Sequence, residues 1–280
     1  MNSFEVIKAN GDRETFKLSK LRQSLTNAGA QPPVIKDVIN NLEEEGYFID
    51  GITTKKIYKA AYDLLRDKSD HVAGRYKLKE ALFELGPSGF PFELLVSEIF
   101  NRLGYKTKVG EIVQGKCVSH EIDVIAEDDD SVYMIECKFH NRQSHKSTVT
   151  TPLYIHSRFL DVHENWKTQP HYQDKTSYGY VVTNTRFTSD ALDYAQCVNL
   201  KLLSWDYPLN TGLKHLIERT KLHPITSLSS LTKKEKQLLL DNKIIHCKQI
   251  LDNQDILKKL HLSNVKRTRI TSEATSLLNE

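Results

Sequence analysis

The sequence predicts an α/β chain, α+β overall: a mixed-sheet core, preceded by a small hairpin-plus-helices segment and followed by an all-α basic segment. Three observations carry that expectation. "YGYVVTN", "TSDALDYAQCV" and "LKLLSW" run strand, helix, strand, and a βαβ unit makes part of its sheet parallel. "HEIDVIA" and "YMIECK" are apolar strands joined by the acidic turn "EDDDS". "GPSGFP", residues 86–91, breaks any helix and divides the N-terminal segment from the core. The boundaries expected from this are 1–86, 87–220 and 221–280.

In the first segment, "FEVIK", "ANGD" and "RETF" form a hairpin, since Asn-Gly is the strongest short hairpin signal. Ser19 is placed to cap a helix whose Leu21, Leu25 and Ala28 recur at helical spacing, and Gly29 to end it. Further helices are expected at "VIKDVINNLEE", "TTKKIYKAAYDLL" and "VAGRYKLKEALFEL". After the break, Phe92, Leu95, Val96, Ile99, Phe100 and Leu103 form one apolar stripe on a helix. The third segment reads as short basic helices at "SLTKKEKQLLLDNK", "CKQILDNQDILKKL" and "SNVKRTRITSEATSLL".

Composition excludes several classes. No apolar run approaches the roughly 20 residues that cross a bilayer, and the start lacks the apolar stretch of a secretory signal. A cytoplasmic protein without membrane contact is expected. Cys117, Cys137, Cys197 and Cys247 are scattered, with no CxxC, which argues against a zinc ribbon and a disulfide framework. The net charge of +3 is too small to name a partner, but it is uneven: from Lys221 onward 11 Lys and Arg face 6 Asp and Glu. No GxxxxGK[ST] occurs, so a P-loop motor is not supported.

Strand periodicity sorts "HEIDVIA" into faces, with Glu121, Asp123 and Ile125 on one and Ile122, Val124 and Ala126 on the other. Glu136 and Lys138 share a face of the next strand. If the two strands pair through "EDDDS", Asp123 and the Glu136–Lys138 pair converge at one end of the hairpin. Two carboxylates and an ammonium on a half-buried surface are costly unless compensated. They form either a structural ion pair on a solvated face or a hard-oxygen site for magnesium or manganese, with Lys138 orienting a water. An acid in an apolar strand, a short turn, then an apolar strand ending in ExK favours the second, as does Glu93 at the edge of the preceding helical stripe. The run Asp128–Asp130 reads as a solvated turn. His120 lies on the strand face opposite Asp123 and reads as a residue that holds the hairpin. His140, His145 and His156 fit no zinc spacing. Gln143, Lys146 and Arg158 are either phosphate-backbone contacts or plain solvated polar residues.

"FELLVSEIFNRLGYK", "HEIDVIA", "YMIECK" and "YVVTNTRFTSDALDYAQ" resemble, in matching order, the catalytic domain of Mrr-type restriction endonucleases, within the PD-(D/E)xK nucleases. The resemblance implies Asp123 and Glu136 as metal ligands, helped by the backbone carbonyl of Cys137. It implies Lys138 as the catalytic lysine and Glu93 as the helix carboxylate beside the metal, with Mg2+ or Mn2+ as cofactor and DNA as substrate. Glu136 stands where Mrr-like proteins often carry Gln, and "HNRQSHKSTVTTPLYIHSRFLDV" is an insert in the compact pattern.

"VIKANGDRETFKLSKLRQSLTNAG", "IDGITTKKIYKAA" and "VAGRYKLKEAL" resemble an ATP-cone, a small nucleotide-sensing domain. That resemblance implies ATP or dATP as regulatory ligand near Lys8, Glu14, Lys20 and Thr54, with Lys17 a further candidate, and a homo-oligomer, dimer or tetramer, as the switch. Lysines neutralise phosphates while a carboxylate reads sugar or base. "NKIIHCKQILDNQDILKKLHLSNVKRTRITSEA" is similar to degenerate helix–hairpin–helix modules. Lys258, Lys259, Lys266, Arg267 and Arg269 either contact DNA phosphates there or form a solvated basic face.

The expectation is a metal-dependent DNA endonuclease of the Mrr-like, type IV restriction class, regulated by nucleotide and acting in restriction or anti-phage defence. A non-catalytic, nucleotide-responsive DNA-binding regulator and an RNA-cleaving nuclease are the alternatives.

Overall fold

The computed structural model describes residues 3–8, 11–253, 255–260 and 262–278, without the side chains of residues 70, 71 and 259. The chain forms two compact units, Met1–Ala81 with Ile225–Gln237 and Cys247–Glu280, and Leu82–Pro224 with Leu238–His246.

In the first unit β1 (Glu5–Ile7) pairs antiparallel with β2 (Arg13–Thr15). Of the expected Asn-Gly turn, Ala9 and Asn10 lie outside the described residues; Gly11 has φ +89°, which favours glycine. α1 (Leu18–Asn27) begins earlier than expected, with Lys17 at the N-cap, so Ser19 falls inside the first turn. Gly29, φ +85°, ends it as expected. α2 (Pro32–Glu44) leads to β3 (Ile52–Thr53), parallel to β1, and to α3 (Thr54–Lys68). Thr53 caps α3 by accepting from the Lys56 amide. Val6, Leu25, Val38, Leu42, Ala61 and Leu65 fill the core. The single helix expected at "VAGRYKLKEALFEL" is two, α4 (Asp70–Tyr76) and α5 (Leu78–Phe83).

The second unit is built on a five-stranded mixed sheet. α6 (Phe90–Arg102) carries the apolar stripe, with Phe92, Leu95, Val96, Ile99 and Phe100 buried. β4 (Lys106–Gln114), β5 (Ser119–Glu127) and β6 (Ser131–Lys138) form an antiparallel meander. The acidic run makes the β5–β6 turn, where Asp128 Oδ1 accepts from the amides of Asp130 and Ser131. β7 (Lys146–Ser147) and α7 (Thr150–Trp166) come next, then β8 (Thr176–Thr183), β9 (Arg186–Phe187), α8 (Ser189–Cys197) and β10 (Lys201–Leu203). β8 runs parallel to both β6 and β10, giving the order β10-β8-β6-β5-β4. The βαβ reading therefore holds, and Thr188 caps its helix as expected. α7 packs on β8 and α8. β4 and α7 are elements that the sequence pattern does not announce. α9 (Leu213–Thr220) closes this stretch.

The C-terminal segment forms α10 (Lys233–Asp241), α11 (Cys247–Asp252), α12 (Asp255–Lys259) and α13 (Asn264–Leu278). "CKQILDNQDILKKL" is thus two short helices rather than one. α13 packs on α4 within the first unit, and the Arg75 guanidinium donates to the Leu277 carbonyl at 3.1 Å. Glu273, 5% exposed, accepts from the amides of Ser229 (2.6 Å) and Ser230 (3.0 Å). Removing that carboxylate takes away the acceptor that both amides share. Glu273→Ala is expected to lower stability by about 2 kcal/mol, read by urea denaturation of the full chain. Among the described residues no helix is long and apolar enough to cross a membrane, and no disulfide forms.

Candidate active site

The β5–β6 ladder begins at the turn and stops at Val124 opposite Ile135. One register step further Asp123 would face Glu136, and there the strands part. The Asp123 carboxylate substitutes for the missing ladder bond: its Oδ2 accepts the Cys137 amide at 2.7 Å. This is the local reason an acid sits in an otherwise apolar strand. On the other side of Asp123, Gly110 of β4 stands between the paired residues Val109 and Glu111, with φ +69° and open space where a Cβ would be.

Around that opening the chain collects carboxylates and two cations. Glu136 is only 5% exposed, yet both its oxygens are engaged: Lys138 Nζ lies 2.7 Å from Oε1, and Arg158 Nη1 lies 2.6 Å from Oε2. Glu93 in the first turn of α6 joins the group. Burial, then the charges of Asp123, Glu121 and Glu136, push its carboxyl up to about 7. Burial and the Glu136 charge push Asp123 up to about 6, against the pull of the Cys137 amide. The Cys137 thiol is raised well above its usual range by burial, so it stays protonated and is no thiolate ligand. Strand β6 is anchored just beyond the site. Thr183 Oγ1 donates to the Lys138 carbonyl at 2.8 Å, and buried Asn184 bonds the amide and carbonyl of His140 at 2.8 and 2.9 Å.

Asp123, Glu136, Lys138 and Glu93 are thus brought together, with the Cys137 backbone between Glu136 and Lys138. Sequence reasoning left the part played by Arg158 open. It reaches Glu136 because α7 is pinned to the β4–β5 turn. Asp161 accepts the Cys117 amide (2.8 Å), the Val118 amide (3.3 Å) and His120 Nε2 (2.8 Å), which hold its carboxyl down at about 2, the His120 contact first. His120 therefore ties the hairpin to α7. The other histidines are engaged elsewhere: His140 with Ser147 at 3.0 Å and His156 with the Tyr194 hydroxyl at 2.9 Å.

The donor set suits a hard divalent cation. Carboxylate oxygens crowd a half-buried opening, and two of the carboxyls, Glu93 and Asp123, are raised by burial and then by the charges of neighbouring carboxylates, a cost that a bound cation offsets. Among the described residues no three Asp, Glu, His or Cys side chains already surround one point, and the Glu136 oxygens face Lys138 and Arg158 instead.

The other candidate residues lie in the first unit. Glu14 Oε1 receives Lys8 at 2.8 Å and Lys20 at 3.2 Å, which lowers its carboxyl pKa. Thr54 Oγ1 lies 3.5 Å from the carbonyl of Ile7, beside Lys8, while Lys17 is the α1 N-cap. In the C-terminal segment Lys258 pairs with Asp255, Lys266 holds both oxygens of Glu235 at 2.6 and 2.7 Å, and Arg267 binds the Asn264 side chain. Arg269 lies on the surface of α13, and the Lys259 side chain lies outside the described residues.

Comparison with known proteins places these pieces. An uncharacterized protein of Archaeoglobus fulgidus is 35% identical over 184 residues, covering 65% of this chain and 99% of the relative. The chain belongs to the AF1548-like family. The crystal structure of AF1548, a protein of unknown function, is 33% identical with a TM-score of 0.56, over 69% of this chain and 99% of that one. Residues 223–278 match the AF1548-like C-terminal domain, residues 87–207 a restriction endonuclease domain, and residues 4–79 an ATP cone domain. This AF1548-like chain therefore carries an ATP cone ahead of a restriction-type nuclease domain. MspJI restriction endonuclease in complex with an oligonucleotide is 12% identical with a TM-score of 0.37, over 61% of this chain and 36% of that one, too distant to carry an argument.

Proposed function

We propose that this AF1548-like protein is a metal-dependent endonuclease that hydrolyses DNA phosphodiester bonds, with Asp123, Glu136 and Lys138 at its centre. The observation that carries the reading is the parting of β5 from β6 at Asp123, which gathers Asp123, Glu136, Glu93 and Lys138 at one half-buried opening in a restriction endonuclease domain. Asp123 and Glu136 would hold Mg2+ or Mn2+, with the Cys137 carbonyl, and Glu93 would stand beside it. A cation there supplies an activated water and neutralises charge on the phosphate. Lys138, 2.7 Å from Glu136, sets that carboxylate's position and offsets the negative charge that develops at phosphorus. The test is cleavage of supercoiled, linear and modified duplex DNA in Mg2+ or Mn2+. The reading fails if no substrate is cut, or if Lys138→Ala cuts as fast as wild type.

One observation favours a second reading, a non-catalytic DNA-binding regulator: both Glu136 oxygens are already satisfied by protein cations. Thermal stabilisation by Mn2+ that disappears in Asp123→Asn is expected from a nuclease and not from that regulator.

The ATP cone is the regulatory part of the proposal. Lys8 and Lys20 share Glu14, so a bound ATP or dATP would draw two ammonium groups to its phosphates and leave Glu14 to the sugar or base. Lys8→Ala is expected to weaken ATP binding by roughly tenfold in calorimetric titration. The oligomeric switch, the use of Lys258, Lys259, Lys266, Arg267 and Arg269 on DNA, and a role in restriction or anti-phage defence belong to the same proposal.

A further inference from the structure

Arg158 is not placed as a chance surface arginine. It lies just under one helical turn from Asp161, whose carboxylate fixes α7 to the β4–β5 turn through two amides and His120. Its side chain is 12% exposed, and both terminal nitrogens are used: Nη1 on Glu136 Oε2, Nη2 on the Glu121 carbonyl. One helical turn back, the Tyr154 ring lies under the guanidinium at 5.5 Å, and that residue is 61% exposed. The guanidinium is thus largely buried against Glu136, with an exposed aromatic ring beside it.

A cation bound by Glu136 would share a carboxylate whose oxygens already carry one positive group each, Lys138 on Oε1 and Arg158 on Oε2, and like charges on one oxygen repel. The two positive groups, metal and guanidinium, compete for Oε2. A guanidinium is also the side chain best shaped to bind a phosphate through two parallel hydrogen bonds. The Tyr154 ring beside it offers the guanidinium a cation–π partner that does not depend on Glu136.

We propose that Arg158 couples metal loading to DNA binding: it holds Glu136 while no substrate is present, and releases that carboxylate to the cation when a DNA phosphate takes the guanidinium. The inference rests on Asp123 and Glu136 being the metal pair. By linkage, DNA then raises metal affinity and metal raises DNA affinity by the same factor. Arg158 acts here as a positioning residue, through Glu136.

The test is calorimetric titration of Mn2+ into the full-length protein, without DNA, for wild type, Arg158→Ala, Arg158→Gln and Asp123→Asn, each checked for folding by its thermal melt. Removal of a competing charged partner is expected to tighten Mn2+ binding by about tenfold in Arg158→Ala. Arg158→Gln, which loses the charge but keeps most of the bulk, is expected to shift the same way and serves if the alanine variant does not fold. A merely structural arginine would shift the affinity the other way. In Ca2+, the same variants are expected to bind a short DNA duplex more weakly than wild type. Unchanged or weaker Mn2+ binding in the folded Arg158 variants, with binding lost in Asp123→Asn, overturns the coupling alone. Mn2+ binding that survives Asp123→Asn overturns the reading of the active site and the coupling with it.

Discussion

Asp123→Asn is expected to abolish DNA cleavage and, in the same molecule, to raise the stability of the metal-free protein. The carboxylate is a ligand in the proposed chemistry but a burden to the fold without the cation. Its pKa is raised to about 6, first by burial and then by Glu136, whereas in the unfolded chain it titrates near the ordinary value of roughly 4. The sign depends on which state holds the proton. Between about pH 4 and 6 the folded state binds more protons than the unfolded one, so stability falls as pH rises through that window and stays lower above it. At neutral pH the cost is on the order of 3 kcal/mol. Asparagine keeps an oxygen for the Cys137 amide while removing the charge, so the variant is expected to melt higher than wild type in EDTA and to lose that pH slope. Thermal melts from pH 4 to 8 check it. A variant that is both inactive and less stable would mean that Asp123 is structural.

The second large effect is on rate. Lys138→Ala is expected to lower the cleavage rate by about 10²–10³-fold, the range for removal of one preorganised electrostatic group. Lys138 is partly exposed and its strand is anchored through backbone bonds from Thr183, so the variant is expected to fold as wild type does. Lys138 is a partner of Glu136 and not a ligand of the cation, so metal binding without DNA is expected to be kept or tightened in that variant. A single-turnover rate measured at saturating Mn2+ separates the chemical step from binding.

The sequence makes some parts of this molecule legible and hides others for physical reasons. The β5 and β6 strands, their turn and the βαβ order are visible because their buried faces impose apolar runs bounded by turn residues. β4 escapes because it is an edge strand with no buried residue and a positive-φ glycine in its middle, so no apolar alternation is written into it. α7 reads as an insert, yet Pro152, Ile155, Val162 and Trp166 bury one helical face; the His, Ser and Arg residues between them mask that stripe. In the candidate site, Asp123, Glu136 and Lys138 announce themselves as charges set among apolar neighbours. The reach of Arg158 to Glu136 across 22 residues depends on how α7 docks, and two of the three contacts of the Asp161 clamp that docks it are with backbone amides, which leave no mark on side-chain identity. The helix breaks at Lys77 and between α11 and α12 escape as well, because short helices are set by packing more than by propensity.

The central claim is that Asp123 and Glu136 hold the catalytic cation. Anomalous diffraction from crystals soaked in Mn2+ at a concentration that supports cleavage tests it most directly. The expected result is a peak within coordinating distance of both carboxylates, with the Arg158 guanidinium displaced from Glu136. A protein that cuts DNA in Mn2+ while the ion lies elsewhere, with Lys138 and Arg158 still closed on Glu136, would contradict it.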